Sequence, residues 1–85
     1  MQENSENNSF GIVTGTSSAI AFPSIRANWM RIKNHPGGVT GYIGSYGGAT
    51  YPLATGEDTG WFEEDDSGNI FYRGTGTYFS FWIQN

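Results

Sequence analysis

The sequence predicts an all-β domain: a single small antiparallel β-sandwich, jelly-roll-like, with seven to eight short strands. Three observations lead there. Fourteen aromatics and seven isoleucines stand against one leucine, Leu53, and Ile, Thr, Tyr, Phe and Trp suit a pleated sheet better than a helix. Thirteen glycines supply turns. Apolar runs recur at about ten-residue spacing between Gly-, Asn- and Asp-rich punctuation, the pattern of a sandwich or barrel.

Size and composition bound the rest. Eighty-five residues make one domain near the lower end of what folds on a single core. With no cysteine there is neither a disulfide staple nor a thiolate zinc site, so an aromatic core helped by oligomerisation is expected. Met1–Ser9 is polar with no apolar anchor. Residues 1–9 therefore read as a flexible N-terminal arm and residues 10–85 as the sandwich domain.

The strands follow in order. Phe10–Val13 and Ala19–Phe22 are short apolar runs around a Gly-Thr-Ser-Ser turn, and Pro23 closes the second. Ala27–Lys33 alternates, with Asn28, Met30 and Ile32 on one side and Trp29, Arg31 and Lys33 on the other. After the turn signal Asn34-His35-Pro36-Gly37-Gly38, Val39–Ile43 sets Val39, Gly41 and Ile43 opposite Thr40 and Tyr42. These two runs read as an antiparallel hairpin. Ala49–Ala54 contains Pro52 and belongs at an edge or in a loop. Trp61-Phe62-Glu63 follows, then the tight turn Asp65–Asn69, and Ile70–Arg73 pairs with Tyr78–Ile83 around Gly74-Thr75-Gly76.

The closing run Thr77–Ile83 is bulky on both faces. Phe79, Phe81 and Ile83 read as core, which turns Tyr78, Ser80 and Trp82 toward solvent. The same alternation puts Trp29 and Tyr42 opposite the core set, with Arg31 and Lys33 beside them. Trp, Tyr and Arg are the types enriched at interface hot spots, so Trp29, Arg31, Tyr42, Tyr78 and Trp82 are the candidate contact residues. Their occupant is a protein surface or a sugar stacked on the rings, with Asn28, Arg31 and Thr40 as weak polar helpers.

Other chemistries find little support. The net charge is −4, and six of the eight acids lie in Glu57–Asp66, which argues against a nucleic-acid groove. No apolar run has the length of a membrane span, and no export signal is visible. His35, the single histidine, precedes Pro36 in a turn and reads as a solvated loop side chain rather than a catalytic base. Glu63-Glu64-Asp65-Asp66 offers a fragment of a calcium loop and reads better as turn chemistry. Gly37-Gly38, Gly44 and Gly47-Gly48 read as turn glycines, since no phosphate-loop motif accompanies them. No catalytic residue, cofactor or metal is expected.

The series Gly15-Thr16 and Ala19, Met30–Asn34, Gly41–Gly44, Pro52–Glu57, Asn69–Tyr72 and the closing strand has a familiar order. It resembles small β-sandwich virion structural proteins of tailed bacteriophages. There a strand of "ikN" type is followed by "vyvG", "pL.pGe" and "iyv.g" elements. The match runs over about residues 15–83 and departs from the pattern in the acidic Trp61–Asp66 segment and the high aromatic content. The resemblance implies a non-enzymatic virion protein, a capsid decoration (cement) or tail-associated protein that forms a homo-oligomer, a trimer being preferred. It would dock on the major capsid or another virion protein, without nucleic acid or membrane. The alternative is a carbohydrate- or receptor-binding module at a fibre or tail tip.

Overall fold

The computed structural model describes residues 8–45 and 48–85. Eight strands run in chain order: β1 Ser9–Thr14, β2 Ile20–Ala21, β3 Trp29–Asn34, β4 Gly41–Ser45, β5 Tyr51–Leu53, β6 Phe62–Glu63, β7 Ile70–Arg73 and β8 Tyr78–Gln84. They form two four-stranded antiparallel sheets, β1-β8-β3-β6 (sheet I) and β2-β7-β4-β5 (sheet II). That order is the eight-strand jelly roll. Apart from Ser9, which opens β1, and Asn8, the expected arm lies outside the described residues.

Jelly-roll connectivity overturns two expected hairpins. The runs 27–33 and 39–43 became β3 in sheet I and β4 in sheet II, and β7 and β8 are divided the same way. Each connection is long enough to carry the chain across the core instead of folding it back within one sheet. Gly37 (φ 91°), Gly74 (φ 136°) and Gly76 (φ 88°) take up the left-handed turns this needs. Among the described residues only β4 and β5 pair as consecutive strands, and Pro52 sits on β5, the outer strand of sheet II.

Alternation holds along β1, β3, β4 and β7. In β8, Ser80, expected toward solvent, is buried. At the sheet edges Ile20 and Tyr51 are exposed although they stand opposite the core residues Tyr72 and Ile43. Met30, Ile32, Phe79, Phe81 and Ile83 point inward from sheet I and meet Ile43, Leu53, Ile70 and Tyr72 of sheet II. Phe22, just past β2, is the hub, with ring centroids 4.6 Å from Tyr72, 5.3 Å from Phe81 and 6.5 Å from Phe79. Side chains of this size contribute roughly 1.5–3 kcal/mol each when fully buried. Gly44 is not a turn glycine: it lies in β4 opposite Phe71, where a Cβ would collide with the Gly48 carbonyl.

Asn34 also changes role. It closes β3, fully buried, instead of opening a turn. Its Nδ2 donates to the Val39 and Leu53 carbonyls, each at 2.9 Å, which ties sheet I to the approach and the edge of sheet II. The Asp65–Asn69 turn is a short 3₁₀ turn between sheets, not a hairpin tip. Asp66 caps it, accepting from the Gly68 N–H at 2.8 Å, and takes the Ser24 hydroxyl on both carboxylate oxygens.

Candidate interaction face

The strand registers determine what shares the outer face of sheet I, because directly opposed residues in an antiparallel pair point the same way. Phe10 stands opposite Trp82, which stands opposite Arg31. Ile12, Ser80 and Lys33 form the next row, and Trp29 pairs with Gln84 on one side and Glu63 on the other. Tyr78 opposes Thr14. Phe10 is 60% exposed, Ile12 54%, Tyr78 52% and Trp29 40%, values far above what a strand covered on both faces would show. Trp61, just before β6, is exposed as well.

At the centre of this face Trp82 is half-buried between two neighbours. Its ring lies 5.4 Å from that of Phe10, and the Arg31 guanidinium sits over it at 4.9 Å. Arg31 is itself fixed: Nε donates to the Asp58 carboxylate at 2.9 and 3.0 Å, and Nη2 at 2.6 Å. That fork-on-carboxylate geometry positions the guanidinium plane. The hydrogen bond from Arg31 holds the Asp58 carboxyl below its ordinary range, against a smaller opposing effect of burial and with help from the Gly60 N–H. The same bond raises Arg31 above its usual value.

Of the five residues expected at the contact, Trp29, Arg31, Tyr78 and Trp82 lie together on sheet I. Tyr42 does not. It is on β4 in sheet II, opposite Arg73 and Pro52, with the Arg73 guanidinium 4.3 Å over its ring. Alternation gives each strand's inward and outward sides but not the sheet to which the strand belongs, so residues on opposite sides of the molecule were grouped together. Phe10, Ile12, Trp61 and Asp58 went unassigned. Phe10 and Ile12 alternate with Gly11 and Val13 and carried a usable signal. Asp58 lies 27 residues from Arg31 and carried none.

Beside the aromatic row is an open cleft of about 250 Å³, lined by Phe10, Trp61 and Trp82 with Asn8, Ser9 and Gln84. These polar groups join Arg31, which already stands over the Trp82 ring. His35 is not simply solvated: its Nε2 meets the Ser80 hydroxyl on the same face, beside Tyr78. Among the described residues no carboxylate orients that pair, and no cluster of three or more His, Cys, Asp or Glu side chains is placed to hold a metal.

No family model, curated protein or solved structure matches the chain.

Proposed function

We propose that this chain is a non-enzymatic virion structural protein, a capsid decoration or cement protein of a tailed bacteriophage. In this reading it forms a homo-oligomer and docks on the viral shell through the outer face of sheet I. One observation carries the proposal: Phe10, Ile12, Trp29 and Tyr78 are all substantially exposed on one face, around a Trp82 already positioned by Phe10 and Arg31. An exposed apolar patch of this kind marks an interaction site. Jelly rolls recur among viral capsid domains and lectins, which supports the assignment by analogy of fold alone.

Mechanistically the protein is a clamp. Docking removes apolar area worth roughly 25 cal/mol per Å² before the cost of association. The Asp58 anchor lowers that cost because Arg31 is ordered in advance. Repeated contacts on a symmetric shell then add avidity to a modest single contact.

The test is co-sedimentation of the purified chain with shells assembled from the major capsid protein of the same genome. Saturable binding that is lost in a Trp29→Ala, Tyr78→Ala double variant, and retained in Tyr42→Ala, supports the reading. No binding by the folded wild type refutes it.

A second reading has its own observation. The cleft beside Trp61 and Trp82 combines ring faces with the polar side chains of Asn8, Ser9 and Gln84, the ingredients of a sugar subsite at a fibre or tail tip. Glycan-array binding that is lost in Trp61→Ala would favour it over shell docking.

A further inference from the structure

A sandwich of open sheets has four edges, and each exposes a row of unpaired backbone groups that invites another strand. Three edges here are blunted. β2 and β6 are two residues long, with Pro23 following β2 and Glu63-Glu64 closing β6. β5 has three residues and carries Pro52. The fourth edge, β1, runs the six residues Ser-Phe-Gly-Ile-Val-Thr with no charge and no proline, and among the described residues it pairs with β8 alone. None of the usual devices against edge pairing is present on it.

The direction of its free groups follows from one bond. The Gly15 N–H donates to the Thr77 carbonyl at 2.9 Å, so in the Thr14–Tyr78 register Gly15, Val13, Gly11 and Ser9 turn their backbone groups toward β8. Antiparallel ladders alternate. Phe10, Ile12 and Thr14 therefore turn their N–H and C=O groups away from the sheet. The same three residues carry side chains on the outer face, with Phe10 and Ile12 exposed.

We propose that β1 is the self-association edge, pairing antiparallel with β1 of a second copy about a two-fold axis. A second copy is the occupant that fits best. A strand without charge meets its own image without like-charge repulsion, and among the described residues no other edge offers a partner of comparable length. The latter point disfavours head-to-tail pairing into a ring, so this edge gives an isologous dimer and not the trimer preferred from sequence. The register that pairs all three free residues within β1 sets Phe10 opposite Thr14 and places Ile12 on the axis, facing itself. The two copies of sheet I then become one continuous sheet, and their aromatic faces merge. This deepens the homo-oligomer part of the proposed function and does not depend on what the merged face docks on.

Sedimentation equilibrium and amide hydrogen exchange of the full chain test it. The wild type should sediment at twice the 9.3 kDa chain mass. The amides of Phe10, Ile12 and Thr14 should show protection that grows with concentration. Ile12→Lys and Ile12→Glu should each sediment at the single-chain mass with unchanged circular dichroism, and their equimolar mixture should return to the doubled mass. A monomeric wild type, free exchange of those three amides at every concentration, pairing that survives Ile12→Lys, or a mixture that stays monomeric would each overturn the proposal. Shell docking separates from it: a monomeric wild type that binds shells leaves the docking face standing, and a Trp29→Ala, Tyr78→Ala variant that stays dimeric but no longer binds shells leaves the β1 edge standing.

Discussion

The outer faces of the two sheets are built from the same kinds of residue and finished differently. On sheet II, Tyr42 is capped by Arg73, whose Nε and Nη2 donate at 3.2 and 3.0 Å to the Ala49 carbonyl. Ring and guanidinium are both provided for within the molecule. On sheet I, Arg31 caps Trp82 in the same way, but Phe10, Ile12, Trp29 and Tyr78 are left open around it. A cation over an aromatic ring therefore does not distinguish the two faces; the open neighbours on sheet I do. The anchors differ as well: a backbone carbonyl on one side, a titratable carboxylate on the other.

Both faces hang on one core, so the largest effect should abolish the contrast. Phe22→Ala removes the ring that joins Tyr72 of sheet II to Phe79 and Phe81 of sheet I. A buried Phe→Ala change costs about 3–5 kcal/mol, and in a domain of this size that lowers the Tm by more than about 10 °C. Thermal unfolding followed separately by tryptophan and tyrosine signals should still give coincident transitions. Sheets that melted apart would show that they do not share a core.

Next in size is the polar tie. Asn34→Ala removes a buried hydrogen bond to the Leu53 carbonyl and a partly buried one to the Val39 carbonyl, a loss of about 1–3 kcal/mol for the stranded buried carbonyl and less for the more exposed one. Denaturant unfolding should register it as a lower midpoint with an unchanged slope. Asn34→Asp should cost at least as much, since a carboxylate cannot donate to either carbonyl.

The contrast itself is sharpened by a matched pair. Arg73→Ala uncovers Tyr42 and frees the Ala49 carbonyl, and should lower stability by about 1 kcal/mol. Trp29→Ser takes a partly exposed ring off the open face and should cost no more than about 0.5 kcal/mol, a Tm change of at most about 4 °C. Equal losses for the two would mean that sheet I is as self-sufficient as sheet II.

The two faces were unequally legible in the sequence. Inward and outward positions could be read because alternation is local: Met30 against Arg31, or Phe81 against Trp82, needs no knowledge of partners. Pro52 likewise announced an edge. The assignment of strands to sheets was hidden, because the rule that neighbouring runs form hairpins fails when the connections cross the core, and this misplaced Tyr42. The contacts that finish each face were also hidden. Arg31 meets Asp58 across 27 residues, and His35 meets Ser80 across 45; composition and spacing carry no trace of either. The acidic Glu57–Asp66 stretch was visible as a run of charge, but it holds several separate devices, among them Glu57 accepting from the Ala54 N–H at 2.8 Å. Asp58 anchors Arg31, Glu64 accepts from Asn69 Nδ2 at 2.9 Å, and Asp66 caps a turn.

The smallest expected effect is the most discriminating, because it follows from the difference in anchors. Asp58 has a lowered pKa in the folded protein, chiefly through the hydrogen bond from Arg31. A group depressed on folding contributes stability that is fully present above its unfolded value, near pH 4, and is lost as the pH falls through the folded value. In acid the carboxyl is neutral, Arg31 loses its anchor, and its hold on Trp82 loosens. The Ala49 carbonyl does not titrate, so Arg73 should stay over Tyr42 throughout. Two-dimensional NMR between pH 6 and pH 2 can follow both faces in one sample. The Trp82 indole signal should shift with a midpoint below pH 4 while the Tyr42 ring signals hold their positions, and Asp58→Asn should show the acid position of Trp82 already at pH 6. A Trp82 signal that titrates unchanged in Asp58→Asn, or a Tyr42 ring that moves in step with it, would mean that the two caps do not differ in the way their anchors require.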